Sequence, residues 1–276
     1  MNSSRKQLIV NADDFGFTPD VNEGIVEAHQ RGILTATTLM ANGAAFDHAV
    51  KLACAVPTLD IGCHLVLIGG NSLVTGAPLP RTVGELLRAL TARRIRAYDE
   101  LRAQVVRIQE AGIRPTHLDT HKHTHFAPPV LEAVASLGAE FGIRWIRSPF
   151  DIPLDAAEGA VSAAKRLANR SLGLLRGHFR RVLARHQCRS TDHFAGFQIT
   201  GHLHPRELAA LIRKLPEGTT ELMCHPGRCG DALRQAPTRL KESREEELAA
   251  LTSPEIREAI TRSGVMLVNY QQLTSG

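Results

Sequence analysis

Residues 7–32, QLIVNADDFGFTPDVNEGIVEAHQRG, decide the fold. The apolar run Leu8–Val10 marks a buried strand, and it leads straight into two aspartates, Asp13 and Asp14. Phe15-Gly16 offers the strand an end, because glycine permits a sharp turn. Thr18 then caps a helix, Pro19 suits its first turn, and Asp20 and Glu23 favour the positive end of its dipole. Gly32 closes the helix. A strand that passes directly into a capped helix is the repeating unit of a parallel α/β sheet.

That unit recurs along the chain. Strands are expected at 36–42, 61–67, 116–121, 145–148, 194–200, 220–225 and 265–270. Helices are expected at 44–55, 82–94, 98–111, 128–141, 205–215 and 254–263, with a Gly/Pro-rich loop over 68–80. Apolar strands of this kind form a parallel sheet covered by helices. Asp13, Asp14, Asn42, His64, His121, Arg147 and His225 all fall at or near the C-terminal ends of these strands. An open sheet would gather chemistry at one switch point, whereas contributions from six strands favour a closed α/β barrel. The first strand is not followed by G-x-G-x-x-G, and the chain has no P-loop.

The 276 residues, 43% hydrophobic and 22% charged, describe an ordinary globular protein. Leu8–Val10 is too short for a signal-peptide core, and Gly69, Gly70, Pro78, Pro80 and His64 argue against a span over 61–80, so the chain reads as cytoplasmic. Five scattered cysteines argue against a disulfide framework, and Cys224 and Cys229 read as ordinary thiols. The net charge of +5 is concentrated: between Glu158 and Asp192 there is no acidic residue, while Lys165, Arg166, Arg170, Arg176, Arg180, Arg181, Arg185 and Arg189 supply the positive charge.

The segment 116–125, THLDTHKHTH, carries the chemistry. His117, Asp119, His121, His123 and His125 alternate, and alternate strand residues share a face. Imidazole and carboxylate are ligands that divalent metals use readily. Same-face neighbours lie ~6.6 Å apart, so at most one or two of these histidines can hold one ion. His121 stands nearest the C-terminal edge, Asp119 one step deeper can fix the tautomer of a ligand imidazole, and His123 and His125 would lie on the loop over the site. His64 ends one strand, and His225 stands where Pro226-Gly227 turns the chain. One Asp and two His on a divalent ion, with a second carboxylate as base and a histidine as acid, suit a metal-dependent hydrolase. Spacing leaves open which of Asp13 and Asp14 is base and which is ligand.

Four motifs, VNADDFGFTPDVNEGIVEAHQRG, IGCHLVL, PTHLDTHKHTH and LMCHPG, resemble the YdjC-like carbohydrate deacetylase family, most closely its hopanoid-biosynthesis-associated HpnK branch. The resemblance covers 7–126 and 219–228. It implies a modified (β/α) TIM-like barrel of seven or eight mostly parallel strands. It also implies one divalent metal ion, zinc or magnesium, held by Asp14, His64 and His121, with Asp13 as general base and His225 as acid. Asn42, Asp119, His123, His125 and Arg147 would bind substrate or support the ligands. The implied reaction removes the N-acetyl group of an acetylated amino sugar. The HpnK branch implies the N-acetylglucosaminyl headgroup of a hopanoid lipid, and a chitooligosaccharide is the alternative.

Residues 1–276 then form one deacetylase domain with a basic helical insertion about 156–190. Over 160–186, Val161, Leu167, Leu172, Leu175, Phe179, Val182 and Leu183 alternate with the cations as in a helix lying on an anionic bilayer. Two readings of this segment stand open: a barrel-covering helix with a solvated basic face, and peripheral contact with the inner face of an anionic membrane; a homodimer is left open. Nucleic acid is a poorer partner, because this segment has one aromatic and no recognised module. Two other classes compete: a non-haem iron oxygenase, which shares the two-His-one-carboxylate set but usually sits in an all-β fold, and a non-enzymatic metal- or lipid-binding protein.

Overall fold

A computed structural model describes residues 6–152 and 173–275. Its strands are β1 Lys6–Phe15, β2 Ala36–Leu39, β3 Asp60–Leu65, β4 His117–Thr120, β5 Trp145–Ile146, β6 His193–Ala195, β7 Gly218–Cys224 and β8 Met266–Leu267. The helices are α1 Pro19–Arg31, α2 Phe46–Ala55, α3 Val83–Thr91, α4 Ala97–Glu110, α5 Pro128–Glu140, α6 Arg176–Arg185, α7 Pro205–Arg213, α8 Asp231–Gln235, α9 Glu242–Thr252, α10 Pro254–Arg262 and α11 Tyr270–Ser275.

Seven strands lie in the order β5-β4-β3-β2-β1-β7-β6, paired in parallel, and β8 adds to the first half of β1 at Gln7 and Leu8. The two ends of the row meet. Trp145 bridges Arg189 and Asp151 bridges Phe194, with Ile146 N donating to Arg189 O at 2.8 Å and Ile152 N to Phe194 O at 2.7 Å. The sheet curls into the TIM-like barrel that the alternation predicted. Because helices cover its outside, β1 is buried continuously from Leu8 to Phe15. Thr18 caps α1 as expected, its Oγ1 accepting the Val21 N–H at 3.3 Å.

Six strands are shorter than the sequence suggested, and the last three of these have a visible local reason. The sixth stops at Ala195 because Gly196 turns at φ +130 and the N–H groups of Phe197 and Gln198 go to the Asp151 carboxylate at 3.2 and 2.6 Å. The fifth is two residues long: the Arg147 N–H makes the last bond to β4, at 3.0 Å to Leu118 O, and the Arg147 side chain enters the barrel interior. The last ends at Leu267, where Asn269 Oδ1 accepts the Gln272 N–H at 2.9 Å and starts α11. Helices α8 and α9 had no counterpart in the sequence reading.

Of the basic segment, read as covering the barrel or lying on a membrane, 153–172 fall outside the described residues. In its described part, α6 turns Phe179, Val182 and Leu183 into the core, while Leu174 and Leu175 on the turn before it are exposed. Among the described residues no helix is long and apolar enough to cross a membrane. All five cysteines are free thiols.

The barrel is tied internally by charge. Arg147 is 1% exposed and reaches three strands at once. Its Nε donates to Glu221 on β7 at 2.7 Å, its Nη1 to Asp119 on β4 at 2.7 Å, and its Nη1 and Nη2 grip both oxygens of Asp13 on β1 at 2.8 and 2.7 Å. Its guanidinium also lies 5.6 Å from the Phe194 ring on β6. Burial opposes the cation, but Asp119, Asp13 and Glu221 hold its pKa well above the ordinary value. Deleting one partner of a buried charge cluster strands the others. Arg147→Met is expected to cost about 3–5 kcal/mol, lowering Tm by on the order of 10 °C in a circular-dichroism melt. A Tm within about 2 °C of the wild type would show that the three carboxylates do not depend on this cation.

Candidate active site

Adjacent strand residues normally face opposite sides, yet Asp13 and Asp14 both enter the barrel mouth. The strand does not end at the pair, as its sequence suggested; the register of β1 against β2 slips between Ala12 and Phe15 instead. Asp14 takes φ +70, a left-handed conformation that aspartate tolerates better than most residues. The bulge re-aims one carboxylate so that two consecutive aspartates serve one site.

Asp14 Oδ1, His64 Nε2 and His121 Nδ1 form a near-equilateral triangle. Its sides are 3.4 Å (Asp14 to His64), 3.3 Å (Asp14 to His121) and 3.2 Å (His64 to His121). Ligands ~2.0–2.2 Å from one divalent ion would lie this far apart. His64 is the penultimate residue of β3, and His121 begins the 3-10 turn His121–Phe126 just past β4. Asp14 Oδ1 is buried with no hydrogen-bond donor among the described residues. Three electron-pair donors thus converge without a proton assigned to Asp14, and a cation fits there.

The supports of this triangle fix its orientation. His64 Nδ1 meets Asp119 Oδ1 at 2.7 Å, which places the proton on Nδ1 and the lone pair on Nε2. Asp119 Oδ2 accepts from Thr38 Oγ1 at 3.0 Å and from Arg147. Burial works against a charged His64, but Asp119, Asp13 and hydrogen bonds push its pKa up to about 10. The surrounding carboxylates therefore call for positive charge at this point. Asp14 Oδ2 is held by Arg244 Nη2 at 2.5 Å; burial raises the Asp14 pKa, yet Arg244 and the two histidines hold it well below the carboxylate range. A second group, Asp13, His64 and Asp119, is also close enough to bind an ion. It is the poorer site, because Arg147 already occupies both of its carboxylates.

Asp13 stands beside the triangle, and its Oδ2 is 3.9 Å from His225 Nε2. Burial opposes its charge, but Arg147, His64 and His225 keep it ionised far below the usual range. His225 directly follows β7, and burial outweighs the attraction of Asp13 and Asp14 to bring its pKa down to about 4. Its loop lies close on α1: a Cβ on Gly24 would meet Gly227 Cα at 2.4 Å, so only glycine permits this approach.

The other expected residues divide. Asn42 lies past β2 and ties down the following loop, its Nδ2 donating to Asn71 O at 3.3 Å. His123 and His125 are buried among rings instead of lying open over the site. His123 packs edge-on to Phe194 and Phe197, and His125 stacks on Phe126 with Nδ1 2.5 Å from Thr120 Oγ1. Burial and Arg147 draw the His123 pKa well down and that of His125 to about 3, so both are neutral packing groups. Left-handed backbone at Lys122 and His123 breaks the alternation and turns them away. His117 points to the barrel floor, 3.0 Å from Asn11 Oδ1 and stacked on Tyr270.

Four functional neighbours escaped the sequence reading: Thr38, Glu221, Arg244 and Glu247. Arg244 and Glu247 sit in KESREEEL, a run that reads as a solvated helix face, but both are 1% exposed. Glu247 accepts the His225 N–H at 2.5 Å and the Gly201 N–H at 3.1 Å. One turn of α9 thus holds Asp14 with Arg244 and the His225 backbone with Glu247.

A two-histidine, one-carboxylate cluster thus stands at the C-terminal rim of a parallel α/β barrel, the edge where such barrels place their sites. The chain belongs to the YdjC-like protein family, whose pattern matches residues 7–262. It is 33% identical over 272 residues to a carbohydrate deacetylase of Geobacillus stearothermophilus, covering 97% of this chain and 98% of that one. It is 32% identical over 273 residues to a carbohydrate deacetylase of Brevibacillus brevis, covering 97% and 99%. Among solved structures it resembles an Enterococcus faecalis protein described as a cellobiose-phosphate cleavage protein, with TM-score 0.75, 26% identity and coverage of 98% and 99%. A lactam utilization protein of Thermus thermophilus, at TM-score 0.50 and 14% identity over 95% and 98% of the chains, shares the fold alone.

Burial, against the backbone hydrogen bonds it accepts, pushes the Glu247 pKa from 4.5 up to about 7. The folded chain keeps this proton to a higher pH than the unfolded one, so Glu247 removes stability as pH rises from about 4.5 to 7. Glu247→Gln cannot ionise and lacks that slope. Relative to wild type, its unfolding free energy is expected to rise by on the order of a few kcal/mol between pH 5 and pH 7.5. Parallel curves in urea titrations at the two pH values would refute an elevated Glu247.

Proposed function

We propose that residues 1–276 are one metal-dependent deacetylase domain that hydrolyses the N-acetyl group of an acetylated amino sugar. The observation that carries this reading is the triangle of Asp14 Oδ1, His64 Nε2 and His121 Nδ1, with Asp13 and His225 at its side. The carbohydrate deacetylases that match nearly the whole chain support the substrate class. A divalent ion, zinc or magnesium, would be held by Asp14, His64 and His121, and would supply Lewis acidity toward the acetyl carbonyl and lower the pKa of water.

The remaining chemistry falls to the chain. Asp13, fixed by Arg147, is an ionised carboxylate that takes a proton from the attacking water at Oδ2. Neutral His225 stands 3.9 Å away with Nε2 toward that oxygen. It receives the proton and delivers it to the amide nitrogen as the C–N bond breaks. The new C–O bond completes acetate, and the sugar leaves as a free amine. Asp119 and Thr38 keep the His64 lone pair aimed at the ion position. The strand–helix barrel is unlike the all-β frame usual for non-haem iron oxygenases, which favours hydrolysis over oxygen chemistry.

The finer substrate assignment is a lipid-linked amino sugar, the N-acetylglucosaminyl headgroup of a hopanoid, on the strength of the HpnK-like motifs. Acetate release is expected from acetylated glycosyl lipids more than from chitooligosaccharides, and to stop with chelator. No release from any acetylated sugar would end the proposal. His64→Ala and His121→Ala are each expected to lose most bound metal and activity, by elemental analysis and acetate assay. Asp13→Asn should retain the metal and lose turnover by about 10²-fold or more; full turnover in that variant would remove Asp13 as base.

A further inference from the structure

The hairpin that follows β3 and the α3–α4 pair beside it form a surface that catalysis leaves unused. Residues 70–79 fold back through an Asn71–Pro78 bridge. Buried Glu100 pins this hairpin, accepting from Ser72 Oγ at 2.5 Å and from Leu73 N at 3.0 Å. The hairpin reaches the active-site rim through its own packing. Leu79 sits with Met40 and Val66 against Phe17, and the Phe17 ring lies 5.9 Å from the Arg244 guanidinium that grips Asp14.

This surface is both cationic and apolar. A cleft of about 1080 Å³ between hairpin and helices is lined by Arg81, Arg88, Arg93, Arg94 and Arg96. Glu85, Asp99 and Glu100 share this lining, and Asp99 pairs with Arg96 at 3.0 Å, but Arg81, Arg88, Arg93 and Arg94 form no ion pair among the described residues, so the cleft keeps a positive balance. Val74, Val83, Leu87 and Tyr98 stand out from the same elements with 37% to 55% of their surface exposed. Helix α3 buries only Leu86. On its far side an apolar groove of about 650 Å³ runs past Leu87, Leu90, Tyr98, Pro128 and Pro129. Exposed apolar side chains ringed by arginine are the chemistry of a protein that settles into the headgroup layer of an anionic membrane.

We propose that this rim surface, and not the basic helix α6, docks the protein on an anionic lipid bilayer. The arginine cleft takes lipid phosphates while Val74, Val83, Leu87 and Tyr98 enter the acyl boundary. Helix α6 has spent Phe179, Val182 and Leu183 on the core, and among the described residues only Leu174 and Leu175, on the turn before it, stand exposed there, against four apolar side chains on the rim surface. The docking surface rests on the lipid-linked form of the proposed function, because a bilayer-embedded headgroup has to be met at the rim where the metal triangle opens.

The test is co-sedimentation with vesicles of phosphatidylglycerol and phosphatidylcholine, against phosphatidylcholine alone. Wild type is expected to prefer the anionic vesicles. Arg93→Glu/Arg94→Glu and Leu87→Asp should each weaken that binding about tenfold or more, whereas Arg180→Glu/Arg181→Glu on α6 should not. All variants should release acetate from a soluble acetylated chitooligosaccharide at the wild-type rate. Absence of vesicle binding by wild type, or a loss confined to the α6 variant, would overturn the proposal. So would Leu87→Asp turning a dimer into a monomer on size-exclusion chromatography without changing vesicle binding, which would make the surface a contact between copies. Failure of the deacetylase reading is recognised separately, as vesicle binding intact with no acetate released by any chain.

Discussion

Arg147 is the interaction on which the rest depends. Its guanidinium joins carboxylates from β1, β4 and β7 and lies against a ring from β6. A short strand, β5, ends where this side chain turns inward, so one residue both terminates a strand and crosses the barrel. A buried cation among three acids is stable only when every partner stays in place. The cluster therefore helps set the spacing of strands whose ends carry the Asp14–His64–His121 triangle, and it keeps Asp13 ionised beside His225.

The site is built in two tiers. The three atoms that would face an ion come from β1, β3 and the turn after β4, and two of them, with the neighbouring His225, are oriented by partners on other elements. Asp119 sets the His64 tautomer, Arg244 turns Asp14, and Glu247 anchors the His225 backbone. Two of these three partners belong to α9, and one of them, Arg244, is 230 positions along the chain from the aspartate it holds. Such remote supports tune ligand affinity nearly as strongly as the ligands set it.

The fold was legible because strand and helix signals alternate with clear punctuation, as at Thr18, Pro19 and Gly32. Strand lengths were less so, since they depend on contacts the local pattern does not carry: Asp151 capturing the N–H groups of 197 and 198, or Asn269 starting a helix. Asp14, His64 and His121 were readable as a set because metal-binding side chains recur at strand ends. His123 and His125 were expected on a loop over the site, but left-handed backbone at 122 and 123 sends them into the aromatic core. Arg244 and Glu247 were hidden by composition. In a run of eight residues with six charges, nothing local marks which two will be buried.

The slipped register in β1 has a consequence for how this sequence can vary. Because one surplus residue between Ala12 and Phe15 is what lets neighbouring aspartates share a pocket, the length of that stretch is as constrained as its chemistry. Shortening it by a single position would restore an unbroken ladder with β2 and swing one acid out toward the helices, even with both aspartates retained. Relatives that keep the function can exchange side chains around this point, but they cannot gain or lose backbone there.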